Sequence, residues 1–76
     1  MDKFYLVRVF YEVYGGMRAD KPLLYESESM ARQRGEMLAR NRDGVLVYAQ
    51  AADPSRGEYS EPTILAKYGQ IPNLQA

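Results

Sequence analysis

Asp53, Arg56 and Glu58 fall within DPSRGE, and paired carboxylates beside a guanidinium are groups from which a hydrolase builds acid–base catalysis. That chemistry needs a pocket that pushes the titration of the two carboxyls apart. Here the same residues sit among Pro54, Ser55 and Gly57, the composition of a solvated reversal. Asp53 can bond back to the backbone, proline fixes one torsion, and Gly57 can adopt positive φ. The stretch is read as a turn.

Other chemistries are poorly supplied. The chain has no histidine and no cysteine, so it lacks the commonest metal ligand, a ready base near neutral pH, a thiolate and any disulfide. Carboxylates alone do not make an ordinary zinc site, and their spacing here is not that of a calcium-binding EF-hand. Gly15 and Gly16 lack the spacing of a phosphate-binding or dinucleotide-binding loop. No catalytic residue, metal ligand or cofactor is expected, and no small-molecule ligand is implied.

Two constellations remain. Phe4, Leu6, Arg8, Phe10 and Glu12 alternate along one face of an extended run, and sheets that show aromatic and basic groups can bind single-stranded RNA. Arg18, Lys21, Arg32 and Arg40 would be the further phosphate contacts. Ten basic residues are balanced by ten acidic ones, however, so no global field favours a polyanion. Glu12, Asp20, Glu28 and Glu36 also lie beside or between those bases. Nucleic-acid binding is therefore the alternative, and a protein partner the main expectation.

Arg34 is the second. At 100° per residue it falls beside Met30, Met37 and Leu38, either as a stem covering the core edge or as a fork for a partner carboxylate. Tyr5, Tyr11, Tyr14, Tyr25, Tyr48, Tyr59 and Tyr68 add large rings with polar ends, suited equally to a core without tryptophan and to an interface. The expected interaction surface is Phe4, Leu6, Arg8, Phe10, Glu12, Arg34, Leu46 and Tyr48.

The elements that must position these residues follow from periodicity. Residues 4–13 alternate as a strand whose Tyr5, Val7, Val9, Tyr11 and Val13 face should be the core. A glycine turn and a polar loop lead to a short strand at 23–26, antiparallel to the first. Ser27 can cap a helix in which Glu28, Arg32, Glu36 and Arg40 form an exposed ridge, opposite Met30, Met37 and Leu38, with Ala31 at the edge. Gly35, costly within a helix, implies close contact with a strand.

Asn41, Asp43 and Gly44 end the helix, and GVLVYAQAA begins another strand, free to run parallel to one of the first two. It places Val45, Val47 and Ala49 on one face and Leu46, Tyr48 and Gln50 on the other. Ser60, Pro62 and Gly69 then bracket a short helix through residues 61–68, with an edge strand as the alternative and Ile64 and Leu65 as anchors.

The expected fold class is α+β. It is a small two-layer α/β sandwich in β-β-α-β order, with a short C-terminal helix or edge strand and one main helix on a three- or four-stranded sheet. At 76 residues the chain suits a single domain, 1–76, with flexible ends at 1–2 and 73–76. No run approaches the roughly 20 apolar residues that cross a bilayer, and the first residues do not read as a signal peptide. The functional expectation is a non-catalytic protein-interaction or regulatory module in the cytoplasm, with a homodimer as one form. Its partner side would be the sheet face away from the helix.

Overall fold

The computed structural model describes residues 2–53 and 55–71. Its strands are β1 (Asp2–Val13), β2 (Gly16–Ala19), β3 (Leu23–Tyr25), β4 (Gly44–Asp53), β5 (Glu58–Tyr59) and β6 (Thr63–Gly69). One helix, α1 (Glu28–Ala39), joins β3 to β4. Strands take 55% of the described residues and helix 17%. The expected α/β sandwich on a three- or four-stranded sheet is thus replaced by a curled antiparallel half-barrel of six strands. Of the ends expected to be flexible, Asp2 is the first residue of β1, while Met1 and 73–76 lie outside the described residues.

The curl follows from how the strands are paired. β1 and β4 form a long central pair, in register from Asp2↔Ala52 to Phe10↔Gly44. On the outer side of β1, β3 lies along its first half and β2 along its second. On the outer side of β4, β6 and β5 divide the length in the same way. Broken outer rows can each follow the right-handed twist of the centre, and a bulge at Val47/Tyr48 bends β6 further.

Every hydrogen-bonded pair is antiparallel. β3 and β4 are both antiparallel to β1, so they run in the same direction on either side of it, and α1 crosses over the strand between them. Ser27 caps the helix, accepting from the Met30 amide at 3.2 Å, and Arg32 Nε meets Glu28 at 2.8 Å. Arg32 Nη1 also donates to the Leu65 carbonyl at 3.2 Å, which ties the helix to β6.

The helix meets the sheet through small residues rather than methionines. Ala31 and Gly35 are buried while Met30 and Met37 are exposed. A Cβ on Gly35 would run into Val47 Cγ2, so the helix backbone comes close and the long side chains are displaced to its flanks. The core beneath is Val7, Val9, Ala31, Val45 and Val47, with Leu38, Leu65 and four tyrosines, Tyr5, Tyr11, Tyr25 and Tyr68, around it. Alternation assigned these β1 and β4 residues to the core, and Val13 with them, but Val13 at the end of β1 is 42% exposed.

Residues 63–69 form a strand, not the short helix that was the leading expectation. A run this short is marginal as an isolated helix, whereas pairing with β4 satisfies its backbone from Gly44↔Gly69 to Ala49↔Thr63. Gly69 (φ 67°) ends the strand, and Gln70 N donates to the Asp43 carbonyl at 2.8 Å. β2 was hidden in what read as a polar loop. Its pairing comes from the reversal at Tyr14 and Gly15, where glycine at φ 90° turns the chain.

Candidate functional site

Facing residues in paired strands project to the same side of a sheet, so the register assembles the face opposite α1. Arg8, Leu46 and Lys67 form one rung across β1, β4 and β6. The next rung is Leu24, Leu6, Tyr48 and Ile64, across β3, β1, β4 and β6. One rung is cationic at both ends and the other is apolar throughout except for the tyrosine hydroxyl.

This face is not the open apolar sheet that the sequence suggested. Phe10 and Leu46 are only 3% and 2% exposed, so much of the apolar surface is already withdrawn. Between the two rungs lies a cavity of about 230 Å³ bounded by Arg8, Phe10, Leu46 and Tyr48, with Gln50, Pro62 and Ile64 completing the wall. Gln50 is fixed there because its Nε2 donates to the Ser60 carbonyl at 2.9 Å. Ser60 is held in turn by reciprocal bonds with the Ala51 backbone.

Arg8 sets the electrostatics. Its Nε is buried and has no hydrogen-bond partner among the described residues. Among the same residues no carboxylate lines the cavity and Arg8 forms no ion pair. The arrangement is a mainly apolar recess with Gln50 and the Tyr48 hydroxyl as polar members and the Arg8 cation at its wall. It can hold an anion that has an apolar body, but it offers no pair of groups for proton transfer.

Of the residues expected at an interaction surface, Arg8, Phe10, Leu46 and Tyr48 are brought together at this cavity. Leu6 lies in the adjoining rung, and Phe4 lines a separate recess with Lys3, Leu24 and Glu26. Glu12 is exposed near the end of β1, where its backbone amide donates to Asp43 Oδ2 at 2.7 Å. Arg34 is on the helix, its Nη1 3.5 Å from Met37 Sδ, in a shallow groove with Tyr25 and Met30. Glu12 and Arg34 therefore do not join the cluster.

Gln50, Pro62, Ile64 and Lys67 were not anticipated at the surface. Gln50 was already in phase with Leu46 and Tyr48, but the other three needed residues 63–69 to be a strand, in a register that skips one residue at the bulge.

The basic residues considered for nucleic acid are dispersed. Arg18 faces Tyr11 and so projects to the helix side, opposite Arg8. Arg32 is engaged by Glu28 and Leu65, Arg40 caps the helix end, and Lys21 is in the loop before β3. Ser55, Arg56 and Gly57 of the DPSRGE segment form an exposed turn. Asp53 Oδ1 accepts from Ser55 Oγ at 2.6 Å, Gly57 has φ 65°, and Arg56 and Glu58 make an exposed pair at 3.7 Å. Among the described residues no cluster of potential metal ligands occurs, and no helix is long and apolar enough to cross a membrane. No protein-family model, curated protein or solved structure matches this chain significantly.

Proposed function

We propose that the chain is a small non-catalytic protein-interaction module that docks a partner protein on the sheet face opposite α1. The observation that carries this reading is Arg8, which lines a mainly apolar recess and whose buried Nε lacks an acceptor among the described residues. An unsatisfied buried donor costs about 1–3 kcal/mol, and a bound acceptor removes that cost. The neighbouring apolar rung supplies contact area, since Leu24 and Ile64 remain 61% and 40% exposed. Nothing in the placement of the other basic residues favours nucleic acid.

Site-specific photo-crosslinking in the native cell tests the face. A benzophenone amino acid in place of Tyr48 should form a protein adduct, and the same group in place of Gln33 on α1 should not. No adduct from Tyr48, or equal adducts from both sites, would refute docking on this face. The cytoplasmic setting belongs to the same proposal, and the compartment of a tagged chain tests it.

A further inference from the structure

Resting on the docking face proposed above, we infer that the cavity beside Arg8 seats the C-terminal residue of the partner protein, taking both its apolar side chain and its free carboxylate. Size is the first reason. About 230 Å³ is less than the ~300–1,000 Å³ of sites that enclose a small organic ligand, yet it accommodates one amino-acid residue. A single anchor of a peptide fits; an enclosed metabolite does not.

Charge is the second reason. Arg8, half-buried, lines a wall to which the described residues bring no carboxylate, its Nε has no partner among them, and Lys67 adds a second cation in the same rung. A guanidinium fork matches a carboxylate with two parallel hydrogen bonds, a geometry that lysine does not reproduce.

The distribution of polarity then selects the kind of carboxylate. Phe10, Leu46, Pro62, Ile64 and Tyr48 form most of the rest of the recess, with Gln50 as a polar member, so an anion with an apolar group attached covers it best. An aspartate or glutamate side chain carries its charge on a short stem and leaves these walls uncovered. A terminal leucine or phenylalanine carries the carboxylate and a bulky side chain on one Cα. Capture of a terminal carboxylate is also an established way of recognising peptides.

The test uses N-terminally labelled Gly-Ser-Gly-Phe and Gly-Ser-Gly-Leu, each as the free acid and as the C-terminal amide. Binding is followed by fluorescence anisotropy and by ¹⁵N spectra that include the Arg8 Nε–H signal. The free acids should shift that signal and the amides of Leu46, Tyr48 and Ile64. The amidated peptides should bind roughly tenfold or more weakly, as expected for loss of a charge-assisted pair. Arg8→Met should erase the difference between acid and amide, and Arg8→Lys should restore only part of it.

Equal binding of acid and amide, or no change at Arg8 Nε–H up to millimolar peptide, would overturn the inference. So would equally tight binding of an amidated peptide carrying an internal glutamate, which would point to an acidic side chain. Self-association that Arg8→Met abolishes, with no peptide bound, would assign the recess to a second copy of the chain. Crosslinks from position 48 separate the two levels: their persistence when the peptides fail leaves the docking face standing and removes only the terminal carboxylate.

Discussion

Gly35 of α1 lies so close to Val47 of β4 that a Cβ added to the glycine would meet the valine's Cγ2. In an exposed helix, glycine to alanine gains about 1 kcal/mol from propensity. Here the added methyl must force the helix outward or move a valine that is completely buried, and overpacking of this kind costs about 1–3 kcal/mol. Gly35→Ala should therefore destabilise the domain by about 1–2 kcal/mol in chemical denaturation. Gly35→Ala combined with Val47→Ala should cost less than the sum of the two single changes, because the second makes room for the first. Additive costs would show that the close approach is not the source of the penalty.

Leu65 and Ile64 are adjacent in sequence but belong to different sides of the sheet. Leu65 packs against the core beneath α1, and Ile64 borders the Arg8 cavity. Leu65→Ala should lower stability by about 1–2 kcal/mol, a partial version of the cost for a fully buried leucine. Ile64→Ala should cost less, about 1 kcal/mol, since 40% of the residue is already exposed. Partner crosslinking from Tyr48 should show the reverse order, with Ile64→Ala the more damaging. Equal stability losses would place both side chains in the core.

The pattern of the two central strands could be read directly. In β1 and β4 the alternation of Val7, Val9, Val45 and Val47 with the residues between them gives the side that α1 covers. Ser27 was legible for the same reason, because a cap acts locally. What could not be read depends on pairing partners far away in sequence. Thr63–Gly69 is a strand because β4 offers it an edge, and nothing within the segment itself decides between that and a turn of helix. The buried helix stripe was placed slightly off: Leu38 and the close approach at Gly35 were expected, but hydrophobicity also marked Met30 and Met37, which are exposed, and left Ala31 at the edge although it is buried. The cavity was half legible. Its Arg8, Phe10, Leu46 and Tyr48 share strand phases, but Pro62 and Ile64 arrive only with the register of β6.

Tyr11 gives a prediction in pH. Its hydroxyl donates to Asp20 Oδ2 at 2.7 Å, and this bond, with smaller contributions from desolvation and the Asp20 charge, raises its pKa above the ordinary 10.0. Arg42 opposes the shift. A raised pKa means that folding favours the protonated phenol. The resulting stability is complete below pH 10.0 and is lost as the pH rises through the folded-state value. Tyr11→Phe should therefore be less stable than the native chain at neutral pH, and the gap should narrow as Tyr11 ionises. Stability measured by denaturation across that range, beside a ¹³Cζ titration of Tyr11, checks both statements. A gap that is constant with pH would mean that the hydrogen bond to Asp20 is not its origin.

Arg8 carries the sharpest separation between stability and binding. A structural arginine at this position would hold neighbouring acceptors, and its loss would leave them unpaired. Instead Nε itself is the buried group without a partner among the described residues, and the residue lines the same cavity as Phe10 and Leu46. Methionine reproduces the aliphatic stem and removes the unsatisfied donor. Replacing a half-buried arginine whose Nε is unpaired by an apolar side chain of similar shape leaves no donor to satisfy. Arg8→Met should therefore leave stability unchanged or raise it by up to about 1 kcal/mol, while partner adducts at Tyr48 fall sharply. The comparison needs only a urea titration and the crosslinking yield of the same variant. Destabilisation by about 2 kcal/mol or more would mean that Arg8 holds the half-barrel together, and its buried Nε would then be no guide to a partner.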